Sequence, residues 1–205
     1  MKLINEALKI NTSLINLNLR INKFTNEGLK VLSEALKENY TLTSLNLSNN
    51  DIEFEGIKSL SETLKVNTSL IKLNLQSNKN NDKGIKSLSK TLKINTSSTE
   101  LNLRNIKIEE NGIKSLCDVL KENTTIIKLD LGYNKFSHNG IKSLCEALKE
   151  NTTLISLDLS NNICRYYEIE LISEVLKIKT SLTILDLSDN EIKDDEIKLL
   201  SDALK

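Results

Sequence analysis

The side chains best suited to catalysis or metal binding are few and scattered in this sequence. His138 is the only histidine among 205 residues, and the cysteines Cys117, Cys145 and Cys164 form no CxxC pair. A zinc site needs several converging His or Cys ligands, so no metal site is expected. Cys145 and His138 have the types of a nucleophile and its base, but no third group is placed to orient them. We therefore predict that the protein is not an enzyme.

Cofactor-binding motifs are also missing, since the sequence contains no GxGxxG, P-loop or HExxH pattern, and no cofactor is expected. Cys117 and Cys145 fall at the same position of two successive repeats, described below. Packed helices would hold their Cα atoms about 9 Å apart, beyond the ~7 Å reach of a disulfide. Cys164 replaces a core isoleucine and is expected to be a buried thiol. Unpaired cysteines favour a reducing compartment, and we predict a cytoplasmic protein.

The charge balance narrows the range of partners. Lys and Arg number 28, as do Asp and Glu, so the formal net charge is zero. Nucleic acids and anionic membranes attract a basic excess, so neither is an expected partner. Glu6 and Lys9 interrupt the stretch that a signal peptide would need, and no apolar run approaches the ~18 residues of a membrane span. The sequence predicts a soluble chain.

An internal repeat of 28 residues organises the whole sequence. A half unit at residues 1–13 precedes the first full repeat. Residues 1–205 are predicted to form a single leucine-containing repeat domain. A period of this length is typical of a solenoid. The seven units, numbered one to seven below, begin at residues 14, 42, 70, 98, 126, 154 and 182. Glycine recurs at Gly28, Gly56, Gly84, Gly112 and Gly140, and asparagine at Asn11, Asn39, Asn67, Asn95, Asn123 and Asn151.

Each unit combines two periodicities. In the segment LISLDLS, Leu157 and Leu159 alternate with polar residues, which predicts a strand with one buried face. In GIKSLCEALKEN, Ile141, Leu144 and Leu148 recur every three or four residues, which predicts a helix with one apolar stripe. Strands stack about 4.8 Å apart whereas helices need roughly 8 to 10 Å, so the array must curve with its parallel sheet inside. The predicted fold class is therefore an α/β arc.

The shared pattern of the units, L-x-x-L-x-L-x-x-N-x-I-x-x-x-G-I-x-x-L-x-x-A-L-x-x-N-x-x, resembles the leucine-rich repeat family, and its length and helical second half are similar to the ribonuclease-inhibitor-like class. The resemblance implies a right-handed solenoid with a concave parallel sheet and convex helices. It also implies that the asparagine after each strand is buried and bonds the backbone of adjoining turns. These residues, which we call the loop asparagines, are Asn22, Asn50, Asn78, Asn134, Asn162 and Asn190.

Unit four departs from this pattern. Ile106 takes the place of the loop asparagine, with Asn105 one residue early, and Ser98 replaces the opening leucine. Asn80 occupies a core Ile or Phe position in unit three. Because these departures cluster, we predict that the joint between units three and four is the least stable part of the array.

The six recurring asparagines from Asn11 to Asn151 each begin an Asn-x-Ser/Thr triplet. We predict that they end helices in the left-handed conformation and are not glycosylated, with Lys179 taking the seventh place. The predicted convex helices carry lysines at one equivalent position, mostly three residues after a carboxylate, which indicates solvated i,i+3 pairs and not a basic binding stripe. These lysines are Lys9, Lys37, Lys65, Lys93, Lys121, Lys149, Lys177 and Lys205.

The predicted concave face carries three columns of polar positions. The first column is Asn16, Ser44, Lys72, Glu100, Lys128, Ser156 and Ile184. The second is Asn18, Asn46, Asn74, Asn102, Asp130, Asp158 and Asp186. The third is Arg20, Ser48, Gln76, Arg104, Gly132, Ser160 and Ser188.

The second column changes from Asn to Asp between units four and five. Carboxylates on successive strands repel unless a cation, a partner's Lys or Arg, or a raised pKa relieves them. The alternative is that the aspartates are solvated or paired with Lys128. Gly132 leaves space beside Tyr133, and tyrosine is a favoured interface anchor. The predicted contact residues on the concave face are Lys72, Arg104, Lys128, Asp130, Tyr133, Asp158 and Asp186.

These features predict a non-enzymatic scaffold that binds a protein partner on its concave face. Two alternatives remain open: the repeats also resemble those of GTPase-activating proteins for Ran and of NOD-like innate-immune sensors, of which this chain would be a fragment. The half unit is expected to cap the array through Leu3, Ala7 and Leu8. The last unit has no cap in this sequence, so we expect either that the chain is a fragment of a longer array or that its strand edge associates with another chain or copy.

Overall fold

A computed structural model describes residues 2–178 and 181–205. Within them, helices and short strands alternate along the chain. The helices are α1 Lys2–Ile10, α2 Asn26–Leu36, α3 Phe54–Leu64, α4 Asp82–Leu92, α5 Glu110–Leu120, α6 His138–Glu150, α7 Tyr166–Lys177 and α8 Asp194–Ala203. The strands are β1 Asn16–Asn18, β2 Ser44–Asn46, β3 Lys72–Asn74, β4 Glu100–Asn102, β5 Lys128–Asp130, β6 Ser156–Asp158 and β7 Ile184–Asp186.

The seven strands form one parallel sheet in sequence order. Equivalent residues of successive units pair with each other, as Leu129 does with Leu157. The middle residue of each inner strand is a buried leucine, whereas the flanking residues face outward. The predicted α/β leucine-rich-repeat solenoid is thus confirmed.

The core lies between the sheet and the row of helices. On α6, Ile141, Leu144 and Ala147 are fully buried, as the spacing of apolar residues predicts. Consecutive helices pack against each other along the whole array, from α1 to α8. Gly140 belongs to this packing: a Cβ there would lie 3.2 Å from Ile113 of the preceding helix.

The loop asparagines hold neighbouring units together, as predicted. Asn162 Nδ2 donates to the carbonyl oxygens of Leu131 at 3.0 Å and Leu159 at 3.1 Å. Its Oδ1 accepts from the backbone N–H of Asn134 at 3.1 Å. This asparagine is fully buried, and Asn190 repeats the arrangement in the next unit. Asn22 differs, because it lies at the exposed start of the array.

The prediction that the six recurring asparagines from Asn11 to Asn151 adopt the left-handed conformation is wrong. Asn151 has φ −74° and ψ 130°, an extended conformation. It is buried, its Nδ2 donates to Leu120 O at 2.7 Å in the preceding unit, and its Oδ1 accepts from Leu154 N at 2.8 Å. These bonds to two units fix the side chain inside the array. The left-handed residues lie instead in the loops after the strands, as Asn161 does with φ 51°. Lys179 lies outside the described residues.

The joint between units three and four contains the departures seen in the sequence. Ile106 is fully buried but has no side-chain groups to form the loop asparagine's bonds. Asn80 is buried, and neither its Oδ1 nor its Nδ2 has a hydrogen-bond partner. Ser98 is buried and donates to Leu70 O at 3.3 Å. The lower stability of this joint remains a prediction.

The two ends of the array differ. At the N-terminal end Leu8 is buried as expected, but Ala7 is exposed because it lies on the outer side of α1, and the side chain of Leu3 lies outside the described residues. At the other end β7 pairs only with β6 among the described strands. Ile184 on β7 is 56% exposed. Association through this edge remains a prediction.

The convex lysines form ion pairs, but not all of the predicted kind. Lys37 and Lys65 pair with carboxylates three residues earlier, at 2.7 and 2.6 Å. Lys121 reaches Glu150 at 3.0 Å and Lys149 reaches Glu174 at 3.3 Å, each on the following helix. The closeness of adjacent helices makes these pairs bridges between units. In either form the lysines are offset by carboxylates.

Candidate partner-binding face

A groove of about 450 Å³ runs across the concave face from β2 to β6. The first and third residues of the strands turn their side chains toward the groove, whereas the middle leucines line its floor but are buried on the core side. The prediction that the third column is exposed is wrong for Ser48 and Ser160, each only 1% exposed. At Ser160 the Arg104 side chain covers the hydroxyl, to which its Nη1 donates at 2.7 Å. The accessible face is therefore mainly the first two columns.

The second column has a structural role that the sequence analysis missed. Asp158 Oδ1 accepts from the backbone N–H of Ser160 at 2.8 Å, which closes an Asx-turn at the end of β6. The same bond recurs in all seven units, for example from Ser48 N to Asn46 Oδ1 at 3.0 Å. Asn and Asp both supply this oxygen, so the turn explains why no other residue occurs there. The signal was the invariant Asn or Asp at the end of each strand.

Arg104 bridges two of the aspartates. Its Nη1 lies 2.8 Å from Asp158 Oδ2, 2.7 Å from Ser160 Oγ and 3.6 Å from Asp130 Oδ1. The side chain reaches from the end of β4 across unit five to β6, and it passes over Gly132. A Cβ on Gly132 would lie 2.2 Å from Nη1. The space left by the missing side chain is thus filled by Arg104, whose guanidinium places a positive charge beside both aspartates.

Tyr133 covers the same arginine. Its ring centroid lies 4.4 Å from Arg104 Cζ, a cation–π contact, and its hydroxyl donates to Asp189 Oδ2 at 3.2 Å. The residue is 40% exposed. Tyr133 and Asn105 line two depressions of about 230 and 480 Å³. An exposed aromatic ring held from two sides is a suitable anchor for a partner.

The aspartates differ in their electrostatics. Burial raises the pKa of Asp130, and repulsion from Asp158 adds to this, while the backbone N–H of Gly132 and the Arg104 charge oppose it. The pKa of Asp186 is lowered, chiefly by hydrogen bonds from Ser188. Asp186 lies on the edge strand and is exposed, so it is the most accessible of the three carboxylates.

A second ionic cluster lies in the first column. Lys72 on β3 and Lys128 on β5 approach the same Glu100 Oε1 on β4, at 3.0 and 3.4 Å. Burial opposes ionisation of Glu100, but hydrogen bonds and charges from the two lysines outweigh it and lower the pKa of the carboxyl. Pairing of Lys128 with the aspartates, the alternative considered from sequence, is wrong because Glu100 on the neighbouring strand is its partner.

The predicted contact residues therefore fall into two clusters and one outlying residue. Arg104, Asp130, Tyr133 and Asp158 come together, whereas Lys72 and Lys128 meet around Glu100, and Asp186 stands on β7. Glu100, Ser160 and Asp189 also belong to these clusters, although they are not among the predicted contact residues. Alternation of charge along the first column was the signal that identifies Glu100.

His138 begins α6 and faces solvent. Its Nδ1 lies 2.8 Å from Glu168 Oε1, and its ring meets Tyr167 edge-on at 6.4 Å. Cys145 is buried, and burial raises the pKa of its thiol to about 12, which disfavours the thiolate form that a nucleophile requires. No cluster of three or more His, Cys, Asp or Glu suited to a metal ion occurs among the described residues. No helix within them is long and apolar enough to span a membrane.

Such a repeating α/β array with a grooved sheet defines a solenoid of the leucine-rich repeat class. The family described as "Leucine Rich repeat" matches residues 11–33, 38–61, 66–89, 122–145 and 179–200. These segments make up more than half of the chain, and the chain therefore belongs to the leucine-rich repeat family. No curated protein sequence matches it.

Several solved structures are similar to this fold. The structure described as "Leiomodin-1 Actin-Binding Site 2 (ABS2)" has a TM-score of 0.61 and 25% identity, covering 72% of this chain and 86% of that one. The tropomodulin C-terminal domain of Caenorhabditis elegans has a TM-score of 0.60 and 20% identity, covering 72% and 90%. The leucine-rich repeat-containing protein LegL7 from Legionella pneumophila has a TM-score of 0.54 and 18% identity, covering 98% and 75%.

Proposed function

We propose that this chain is a non-enzymatic scaffold that binds a protein partner on its concave face. The observation that carries the proposal is the groove across β2 to β6, whose floor is built of outward-facing polar side chains on a sheet that the core makes rigid. Contact residues on a rigid element keep their geometry without a partner, which lowers the entropic cost of binding. The contacts proposed are Lys72, Arg104, Lys128, Asp130, Tyr133, Asp158 and Asp186.

The comparisons support a protein as the partner. The leiomodin-1 structure is described as an actin-binding site, and it aligns with most of this chain at 25% identity. Actin is accordingly the first specific partner to test. The convex lysines are paired with carboxylates, as Lys121 is with Glu150, which disfavours nucleic acid on that side.

A reducing compartment, with the cytoplasm as the proposed location, agrees with the state of the cysteines. Cys117, Cys145 and Cys164 are buried free thiols on the core side of the array. No observation on the described residues favours the Ran-directed or NOD-like alternatives, and we do not propose them.

Steric blocking of the groove tests this function without changing charge. Ser44→Trp and Ser156→Trp place large rings on the groove floor, at half-exposed positions of β2 and β6. Thr68→Trp and Thr124→Trp place the same ring at exposed positions in turns between helix and strand, outside the groove. Partners captured from lysate by the wild-type chain, and purified actin in a co-sedimentation assay, are compared across the four variants.

We expect the two groove variants to lose the captured partner and the two turn variants to retain it. Circular dichroism and thermal unfolding establish that all four proteins fold. Equal capture by all folded variants would show that the partner binds elsewhere. Sedimentation with actin in a groove-dependent manner would identify the partner directly.

A further inference from the structure

We propose that the part of the groove formed by β2 to β5 recognises an acidic segment of a protein partner, with carboxylates held by Lys72, Lys128 and the side-chain amides of Asn46 and Asn74. This inference rests on the proposed function, because it names the partner chemistry of the same face. It follows from an excess of accessible hydrogen-bond donors over accessible acceptors in this part of the groove.

The two lysines share one counter-ion. Both ammonium groups approach the same oxygen of Glu100, while their side chains remain 54% and 53% exposed and the Glu100 side chain only 27%. Two positive charges therefore face one partly covered carboxylate. An ammonium group has three N–H donors, so each lysine retains capacity for a further carboxylate. A partner's Asp or Glu placed between them would balance the charge.

The asparagine row adds neutral donors. The Asx-turns use the Oδ1 atoms of Asn18, Asn46 and Asn74, at 3.0, 3.0 and 2.9 Å from backbone nitrogens. The Nδ2 groups of these three residues make no hydrogen bond to any described residue. Equivalent atoms on adjacent parallel strands lie about 4.8 Å apart. The turns thus leave a row of free N–H groups on the face, and such a row selects acceptors.

The aspartates do not cancel this preference, because their oxygens are already bonded. Asp158 Oδ1 accepts from Ser160 and its Oδ2 from Arg104 at 2.8 Å. Asp130 Oδ2 accepts from Asn102 Nδ2 at 2.9 Å, and its Oδ1 from Gly132 N at 3.0 Å. Each oxygen of the two aspartates thus accepts at least one hydrogen bond within the chain, whereas the Nδ2 groups of Asn46 and Asn74 make none to the described residues and the two lysines share one carboxylate. The complementary partner surface is therefore rich in carboxylates.

A random dodecapeptide library displayed on phage tests this preference with the intact chain as bait. We expect the selected peptides to be enriched in Asp and Glu over the unselected library. Against a Lys72→Gln/Lys128→Gln variant, the selected peptides should bind about tenfold more weakly or worse, since charge-assisted hydrogen bonds are lost. Lys58→Gln/Lys114→Gln removes the same charge from exposed positions on α3 and α5 and should leave binding unchanged.

A second variant keeps the result interpretable if the lysine substitutions disturb the fold. Asn46→Asp/Asn74→Asp retains the Asx-turns, as Asp130 and Asp158 do, but replaces donors by negative charge, so binding of the acidic peptides should also fall. Enrichment of neutral or basic peptides, absence of any enrichment, or unchanged binding by both groove variants overturns the inference. If the groove-blocking tryptophans still abolish partner capture, the scaffold function stands and only the acidic partner class fails.

Discussion

Arg104 on the loop after β4 and Asp158 on β6 are joined at 2.8 Å across an intervening unit. Successive strands of the sheet normally bring each side chain next to the equivalent residue of the neighbouring unit. This bond skips unit five because Gly132 has no side chain to block the guanidinium. Arg104 therefore connects units four, five and six on the concave face, and its guanidinium packs against the Tyr133 ring.

Gly132→Ala is expected to lower the free energy of unfolding by about 1 to 2 kcal/mol, because the new Cβ would displace Arg104 from its charged partner. Gly132 has no positive φ, so backbone strain is not the cause. Urea denaturation of the single variants and of the double variant with Arg104→Met measures the coupling. In the Arg104→Met background, Gly132→Ala should destabilise the protein much less. A smaller destabilisation should remain, because the new Cβ would still lie 2.8 Å from Ser160 Oγ. Additive effects would show that the arginine is not what the glycine accommodates.

The fold was predictable from sequence because each unit repeats the same two periodicities, and seven copies leave little doubt about strand, helix and register. The Arg104–Asp158 bond was not, since it depends on the length of one side chain, the absence of another and the curvature of the sheet. Likewise, alternation predicts that Asp130 and Asp158 face the groove but not that their oxygens are occupied. The chemistry of the site depends on side-chain contacts between different units, and the pattern of a single unit does not contain them.

The two titrating aspartates predict opposite pH dependences. The pKa of Asp130 is raised above its ordinary value of 3.8 by burial, so its contribution to stability is present below the unfolded pKa and is lost as the pH rises through the folded pKa. The pKa of Asp186 is lowered by hydrogen bonds from Ser188, so its contribution is present above the unfolded value and lost as the pH falls.

Substitution by Asn preserves both Asx-turns and removes the charge. Between about pH 3 and pH 7, Asp130→Asn should become progressively more stable relative to wild type, and Asp186→Asn progressively less stable. Urea unfolding across this range measures both differences. Parallel pH profiles for the two variants would contradict the assigned causes.

Asn80 predicts a stabilising substitution at the joint between units three and four. Its buried amide atoms have no partner, which costs about 1 to 3 kcal/mol, so Asn80→Ile should raise the free energy of unfolding by an amount in that range. Isoleucine fits the site, since Ile52 and Ile108 occupy the equivalent positions fully buried and next to a repeat glycine.

The reverse substitution Ile52→Asn is the matched control and should destabilise by a similar amount. Among the hydrogen-bonded amides of the inner units, those between Asn80 and Ile106 should exchange fastest in the wild-type protein. Asn80→Ile should lower their exchange rates. No gain in stability from Asn80→Ile would mean that the amide finds a partner in solution.

The three cysteines are expected to be unreactive in the folded protein. Burial raises the pKa of Cys117, Cys145 and Cys164 to about 12 each, so almost none is thiolate near neutral pH. A disulfide reagent such as Ellman's should modify no thiol of the native chain at about pH 8 on the time scale of its reaction with free cysteine, and three after denaturation. Rapid modification of a native thiol would show that its helix opens locally.

Asn67 and Asn11 separate the two roles of the asparagine that precedes each unit. Both accept from backbone N–H groups of their own turn, as Asn67 does from Leu70 at 2.9 Å and Asn11 from Leu14 at 2.7 Å. Only Asn67 also donates to the preceding unit, at 2.7 Å from Leu36 O, because Asn11 lies at the exposed start of the array.

Asn67→Ala leaves a buried carbonyl unpaired and should cost about 1 to 3 kcal/mol in the free energy of unfolding. Asn11→Ala, measured in the same urea titration, should cost less than about 1 kcal/mol, since water replaces its exposed bonds. Equal costs at the two positions would place the stabilisation in the local turn and not in the bond between units.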